Sequence, residues 1–407
     1  MTDSLQVGVM TVAGLLIWFM VWGQVGAWGG IERRLNAHDP ALSSQLLHAG
    51  HGKTKTEDIS HLPPEQIQKT LLLGGQYDAL KHTIVYYTPG WLVVLAVIIM
   101  GMAYSIVNHT QAMRMFAAKS EWDLKMSVIA GGALMLVMSF FNLSMGIMGR
   151  ALFPDQSTLP NGQQDTIYPV LVNQFKAFVL KGIVVAGILA SVLSTYDSIG
   201  SALSALLTRD VYARLIIRDK NDHHYLRVSQ WLTPVIIGIS FFYIPGLLRG
   251  GMVLYYLELT SAFVIPLLTI FLMGTFTRVH HHSGLIGLVV GAFYGVLRLL
   301  APKVVQHFGW VILPPIMMGT YVAYPCSLLV TAGTMVLMSL IVGWEASNSS
   351  VLQGHNEKGT WLRSSQLAIQ QLQPNLPKSP PRCQLLPLLL TILVVTTGGL
   401  LTFVVFW

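Results

Sequence analysis

Residues 7–28 read VGVMTVAGLLIWFMVWGQVGAW, without a single charge. About 20 consecutive apolar residues reach across the hydrocarbon of a bilayer as a helix. Nine such runs are present, at roughly 7–28, 91–116, 126–150, 176–206, 228–248, 252–277, 283–301, 321–343 and 386–406. Inside lipid no water is available to the backbone, so a spanning segment must close its own hydrogen bonds, as a helix does. The residues are 53% hydrophobic and 11% charged, against about 25% charged in soluble domains. The expected class is an all-α polytopic membrane protein of about nine transmembrane helices, in contact with the lipid bilayer. With that many spans, the helices can bury one another's polar faces.

The net charge of +7 reads as topology and points to no nucleic-acid partner. Lys and Arg gather in MRMFAAKSEWDLK, TRDVYARLIIRDKNDHHYLR, TRVHHHSG and the segment 345–385. Positive charge in short loops marks the cytoplasmic side. Nine spans then put the N-terminus in the cytoplasm and the C-terminus outside it. The first run starts almost at Met1 without a basic leader or a small-residue cleavage site, so it reads as a span and not as a signal peptide. Cys326 lies in a span and Cys383 in a predicted cytoplasmic segment, so a mutual disulfide is not expected.

Three parts are expected along the chain. Residues 1–344 form a membrane core with an extracellular insertion at about 29–90. Residues 345–385, rich in Ser, Gln and Pro, form a cytoplasmic linker, and 386–407 a C-terminal transmembrane helix. The insertion mixes charge, His and Pro without a sustained period, and reads as loop with a short helix at 63–72. Gly182, Gly187, Gly200, Pro234, Pro245 and Pro266 punctuate spans. In membranes such residues serve either plain packing or kinks at binding sites.

Residues 191–212, SVLSTYDSIGSALSALLTRDVY, continue an apolar run yet are rich in hydroxyls. Ser191, Ser194, Thr195 and Ser198 follow the i, i+3, i+4, i+7 spacing of one helix face. Neutral oxygens suit a hard cation that must bind and leave. The same residues also serve as small packing groups, or bond back to the i−4 carbonyl. Asp197 beside them costs about 2.5–3.5 kcal/mol at a bilayer centre unless it has a cation, a proton or a water-filled cavity. Glu258 raises the same question nearer an outer mouth. The triple histidine 280–282 reads as a solvated loop. His38, His48, His51 and His61 carry only a weak metal signal, and no catalytic motif frames any Ser, His or Asp, so no enzyme is expected.

LSTYDSIGSALSALLTRDVYARL resembles the Ser-rich helix of the sodium:solute symporter family, the group of sodium/glucose, proline and pantothenate symporters. TDSLQ at 2–6 resembles the family's TD-x-x-Q, and VGAWGGIERRL the loop after it. AYSIVNHTQAMRMFAAKS, MGRALFPD, IYPVLV, PLLTIFLMGTFTR and SGLIGLVVGAFYGVLRLL follow in matching order. The resemblance covers nearly the whole chain apart from the insertion and the linker.

What the resemblance implies is an inverted-repeat, five-plus-five symporter fold with sodium (Na+) near the midplane. Carried over by position, Ser191 supplies a carbonyl and Ser194 and Thr195 supply hydroxyls to the main sodium. Asp3, Ser194, Asp197 and Ser198 form a second cation or proton site. Tyr104 matches a gating aromatic and Asn108 a usual Asp or Asn, which with Glu258 sketches a substrate pathway. The match begins at the family's fifth core helix, so the first four core helices are missing from this chain. Either Met1 is internal to a longer reading frame or the chain is a shortened member. Met135 stands where sugar transporters carry Lys, and Leu257 or Glu258 where they carry Gln. The expected function is sodium-coupled symport of a small polar organic solute across the plasma membrane. The alternatives are a symporter-derived sensor or scaffold and an inactive fragment.

Overall fold

A computed structural model describes residues 2–38, 40–48, 50–78, 82–154, 159, 164–174, 178–244, 252–344 and 385–406. The linker expected at 345–385 and Pro245 therefore lie, but for residue 385, outside the described residues. Helices α1 (Thr2–Val25), α2 (Ala27–His38) and α3 (Pro40–Leu47) open the chain. Strand β1 (Lys53–Asp58), helix α4 (Pro64–Leu71) and strands β2 (Gln76–Asp78) and β3 (Thr83–Thr88) follow. Next come α5 (Gly90–Val107), α6 (His109–Phe116), α7 (Glu121–Leu152), α8 (Ile167–Gln174), α9 (Phe178–Leu206) and α10 (Asp222–Ser240). The chain continues through α11 (Met252–Leu259), α12 (Ile265–Phe276), α13 (His281–Phe308), α14 (Pro315–Met318), α15 (Ala323–Val342) and α16 (Leu385–Leu400).

Among the described residues, eight helical stretches are long and apolar enough to cross a membrane. They coincide with eight of the nine expected runs. The remaining run, 228–248, falls on α10 and a 3₁₀ turn at Phe241–Tyr243. Asp222, His223, His224 and Arg227 fill the first turns of α10 and Pro234 interrupts it, which lowers its apolar character. The expected run 91–116 is two helices, broken at Asn108. Local chemistry explains other boundaries. The Ser120 hydroxyl accepts the Asp123 N–H at 3.1 Å and caps α7. Gly309 at φ +72 ends α13 by donating its N–H to Val305 O at 2.8 Å.

Large apolar side chains face outward along the bundle, as at Val179 (72% exposed) and Ile341 (80% exposed). That is the surface a lipid solvent requires. Inside, helices meet through small residues and aromatic stacks. Trp18, Trp22, Trp28, Phe140 and Phe141 interlock α1, α2 and α7. The Trp18 indole N–H donates to Ser144 Oγ at 2.7 Å inside that stack. On α13, Gly287, Gly291 and Gly295 recur every four residues and face Met335, Thr331 and Ala262. With no side chain on that stripe the backbones approach closely, the usual device of membrane helices.

The insertion departs from the expected loop. Its expected helix is present, as α4, but most of α2 and all of α3 also lie within 29–90, and β1 and β2 flank β3 in an antiparallel sheet of order β1-β3-β2. The insertion rests on the helical bundle through Leu73, which with Leu313 packs on the buried cluster Ala301, Val305 and Met318. At Gly74 (φ +91) a Cβ would lie 2.9 Å from Pro315 Cβ, so this turn needs glycine both for its backbone and for its contact.

Candidate functional site

The hydroxyl-rich stretch lies in α9, which packs along α1. A Cβ on Gly187 would come 2.8 Å from Ala13 Cβ and 3.5 Å from Met10 Cα. Val184 shares a buried cluster with Ile17. Moving forward along α9 therefore means moving backward along α1, and the two helices run antiparallel. At 1.5 Å per residue, ten residues in each helix cover about 15 Å. From the contact of Gly187 with Ala13 and Met10, that step brings Asp197 to the first turn of α1, which carries Asp3. Seven residues bring Ser194 level with the turn Asp3–Gln6.

The angular positions follow from 100° per residue. Ser191, Ser194 and Ser198 lie within about 40° of the direction of Gly187, on the face turned to α1. All three are half-buried. Thr195 and Asp197 flank that face on opposite sides, about 80° away, and both are exposed. The Thr195 hydroxyl donates to Ser191 O at 2.9 Å. That bond is the i−4 back-bond of a packing hydroxyl, and it ties together two of the expected sodium ligands while leaving the Thr195 oxygen its lone pairs.

Further along the same helix the hydroxyls have a different task. Ser204 is buried (1% exposed). Its Oγ accepts hydrogen bonds from Ser229 Oγ at 3.1 Å and Thr233 Oγ1 at 3.0 Å, both on α10. Gly200 faces Thr233 and Ile237 across the same contact. Ser201 bonds back to Asp197 O at 2.7 Å. So the lower hydroxyls join α9 to α10, whereas the upper ones face α1. Gly187 and Gly200 are packing contacts, and Gly182 meets no atom within 4 Å.

Of the pathway residues, Tyr104 is 42% exposed on α5. Asn108 occupies the break between α5 and α6, where its Oδ1 accepts Thr110 N–H at 3.0 Å and the Thr110 hydroxyl at 2.6 Å. Its side chain caps α6. Met135 is 62% exposed on α7.

Glu258 is not alone, and its partner is a residue the sequence reading did not single out. Arg298 on α13 is 4% exposed. Its Nη2 faces Glu258 Oε1 at 3.8 Å. Its Nη1 donates to Ser261 Oγ at 3.1 Å and its Nε to Met318 O at 3.4 Å. Thr260–Val264 is π-helical, and such a widened turn frees carbonyls of the preceding residues. Side chains occupy them: Thr260 Oγ1 donates to Tyr256 O, the Tyr324 hydroxyl to Leu257 O at 3.0 Å, and Ser261 Oγ to Glu258 O at 2.8 Å. The signal in the sequence was a lone Arg inside an apolar run, which carries the same membrane cost that drew attention to Asp197.

The histidine cluster is structural at its first member. His280 caps α13 by accepting His282 N–H, and its own N–H donates to Ser339 Oγ at 2.9 Å. The insertion and the end of α13 border an open cleft of about 560 Å3 lined by Asp58, His61, Gln66, Lys69, Gln306 and His307. Among the described residues no three His, Cys, Asp or Glu side chains are grouped as metal ligands.

Known proteins resemble this chain over about three quarters of its length. The chain is 24% identical over 318 residues to solute carrier family 5 member 4 of Rattus norvegicus, covering 74% of this chain and 45% of that protein. It is 25% identical over 316 residues to the sodium/myo-inositol cotransporter of Homo sapiens, covering 74% and 42%. It is 26% identical over 321 residues to the sodium/mannose cotransporter of Bos taurus, covering 74% and 50%. The chain thus spans half or less of the length of these relatives. The model of the sodium:solute symporter family matches residues 1–291, well over half of the 407 residues, and the chain belongs to that family.

Proposed function

We propose that the chain serves sodium-coupled symport of a small polar organic solute, as a multi-pass protein of the plasma membrane with its N-terminus in the cytoplasm. The observation that carries this reading is the antiparallel seating of α1 on α9. It brings the start of the family's TD-x-x-Q segment level with the hydroxyl face at Ser191, Ser194 and Ser198. In this reading Ser191 O, Ser194 and Thr195 contribute to the main sodium. Asp3, Ser194, Asp197 and Ser198 form the second cation or proton site, and Tyr104, Asn108 and Glu258 line the solute's route. Sodium then acts by differential affinity, favouring the conformation that binds solute. The solute is distinct from glucose, because Met135 and Leu257–Glu258 replace the polar partners that the resemblance leads one to expect. The relatives' names speak for transport and lend no support to a sensor or a fragment without activity.

The test is solute uptake against sodium concentration at several pH values, in cells expressing the protein. Ser194→Ala with Thr195→Ala is expected to raise the sodium concentration for half-maximal uptake by about tenfold, the loss of about 1.4 kcal/mol. Asp197→Asn is expected to change the pH dependence instead. An unchanged sodium dependence in the double variant refutes the hydroxyl site. Identical behaviour of Asp197→Asn at every pH refutes the second one.

A further inference from the structure

We propose that the outer face of α10 seats one anionic glycerophospholipid, whose phosphate meets Arg227 and whose acyl chain lies in an apolar groove beside Trp231. The inference goes beyond the symport reading and does not depend on it.

The groove is set by how α10 packs. Ser229 and Thr233 fasten α10 to α9 through their shared bond to Ser204. At 100° per residue, His224, Arg227, Trp231 and Val235 lie within about 40° of the opposite direction. With Val228 and Leu232 they line an open, shallow groove of about 400 Å3. Trp231 is 76% exposed in it, and Phe242, further along the chain, is 86% exposed.

Along this face the chemistry changes in the order of a phospholipid. Arg227 comes first, Trp231 one turn later and Val235 one turn after that, about 12 Å in all. A guanidinium binds a phosphate through paired N–H groups. An indole prefers the headgroup boundary, and valine belongs with acyl chains. The charged and imidazole opening of α10, which lowers its apolar character, is then the part that meets the headgroup.

Charge selects the kind of lipid. Arg209, Arg214, Arg218, Lys220 and Arg227 stand between Thr208 and Arg227 against three aspartates. Among the described residues none of the five is in an ion pair. Two tyrosines hold this basic loop beside the first turns of α10. The Tyr225 hydroxyl donates to Ile217 O at 3.1 Å and accepts the Lys220 N–H at 3.2 Å. The Tyr212 hydroxyl lies 3.1 Å from His224 Nε2. A zwitterionic headgroup brings its own cation into this excess of positive charge, whereas an anionic one relieves it.

The experiment reads tryptophan fluorescence of the full chain in phosphatidylcholine bilayers that contain phosphatidylserine. Brominated acyl chains, which quench indole on contact, are carried by one lipid or the other. The share of Trp231 is the quenching lost in Trp231→Phe. Phosphatidylserine is expected to occupy the seat about fivefold more tightly than phosphatidylcholine, the equivalent of about 1 kcal/mol for one basic side chain at a membrane surface. Arg227→Gln is expected to bring the two lipids level. Arg278→Gln removes the same charge from another basic loop and is expected to keep the preference. Both arginines are exposed, so neither change opens a core. Should Arg227→Gln nevertheless fail to fold, the comparison of parent with Trp231→Phe carries the test. Equal binding of the two lipids by the parent overturns the proposal, and so does a preference that Arg227→Gln leaves intact. An equal fall in Arg278→Gln also overturns it, because the attraction then belongs to the surface as a whole. A phosphatidylserine excess undiminished by Trp231→Phe puts the lipid elsewhere and overturns it as well.

Discussion

Replacing Gly295 with alanine tests what the close approach of α13 to the π-helical turn demands of this position. The new Cβ would sit 2.5 Å from Ala262 Cα, 2.6 Å from its Cβ and 2.7 Å from its carbonyl oxygen. Ordinary carbon contacts begin near 3.5 Å, so the backbones must part by about 1 Å. Two of the three atoms are backbone and cannot swing aside by changing rotamer. Overpacking of this kind costs about 1–3 kcal/mol. Alanine also gains about 1 kcal/mol of helix propensity over glycine, which would blur a single measurement. Gly333, in the middle of α15, has nothing within 4 Å of its added Cβ, so Gly333→Ala carries the propensity gain alone. The difference between the two variants isolates the clash, and is expected to be about 1–3 kcal/mol against Gly295→Ala. The assay is reversible unfolding in mixed micelles, followed by tryptophan fluorescence. Equal stability of the two variants would refute the close approach, and with it the way Ser261 and Arg298 are brought together.

Two further outcomes follow from contacts described above. Ser204→Val removes the shared acceptor of Ser229 and Thr233 and is expected to destabilise the α9–α10 pair by about 0.6–1.7 kcal/mol in micelle unfolding, leaving the sodium dependence of uptake unchanged. In the insertion, the Ser60 N–H bonds Asp58 Oδ1 at 2.9 Å and holds that exposed carboxyl below the ordinary aspartate range. A depressed folded-state pKa adds stability above the unfolded pKa, and this is lost as pH falls through the folded value. Asp58→Asn is therefore expected to flatten the acid loss of sheet structure below about pH 4, read by hydrogen exchange at residues 53–58 and 83–88.

Hydropathy made most of the helices legible because a membrane leaves a chain few other choices. The exception at 228–248 follows from the charged and imidazole side chains that open α10. The sheet of the insertion was hidden for a different reason. β1 is KTKTED, whose alternation is between Thr and charge and not between apolar and polar, so the strand carries no hydrophobic period. β3, TIVYYT, has the β-branched and aromatic composition of a strand and was a missed signal. The hydroxyl face was legible from spacing alone, but its division was not. Whether Ser204 faces α10 or Ser194 faces α1 depends on which neighbours surround α9, and that is tertiary information. Arg298 was legible in principle by the cost of its charge, whereas its bond to a carbonyl twenty residues away at Met318 was not.

The seat of the insertion on the bundle has a mechanical consequence. Leu73 and Gly74 press on the segment 313–318, and the carbonyl of Met318 receives the Arg298 guanidinium. Force applied to the sheet passes to that carbonyl through packed atoms, with no flexible span between. A protein that grips the insertion from the aqueous side thus takes hold of a lever whose short arm ends at a charge inside the membrane.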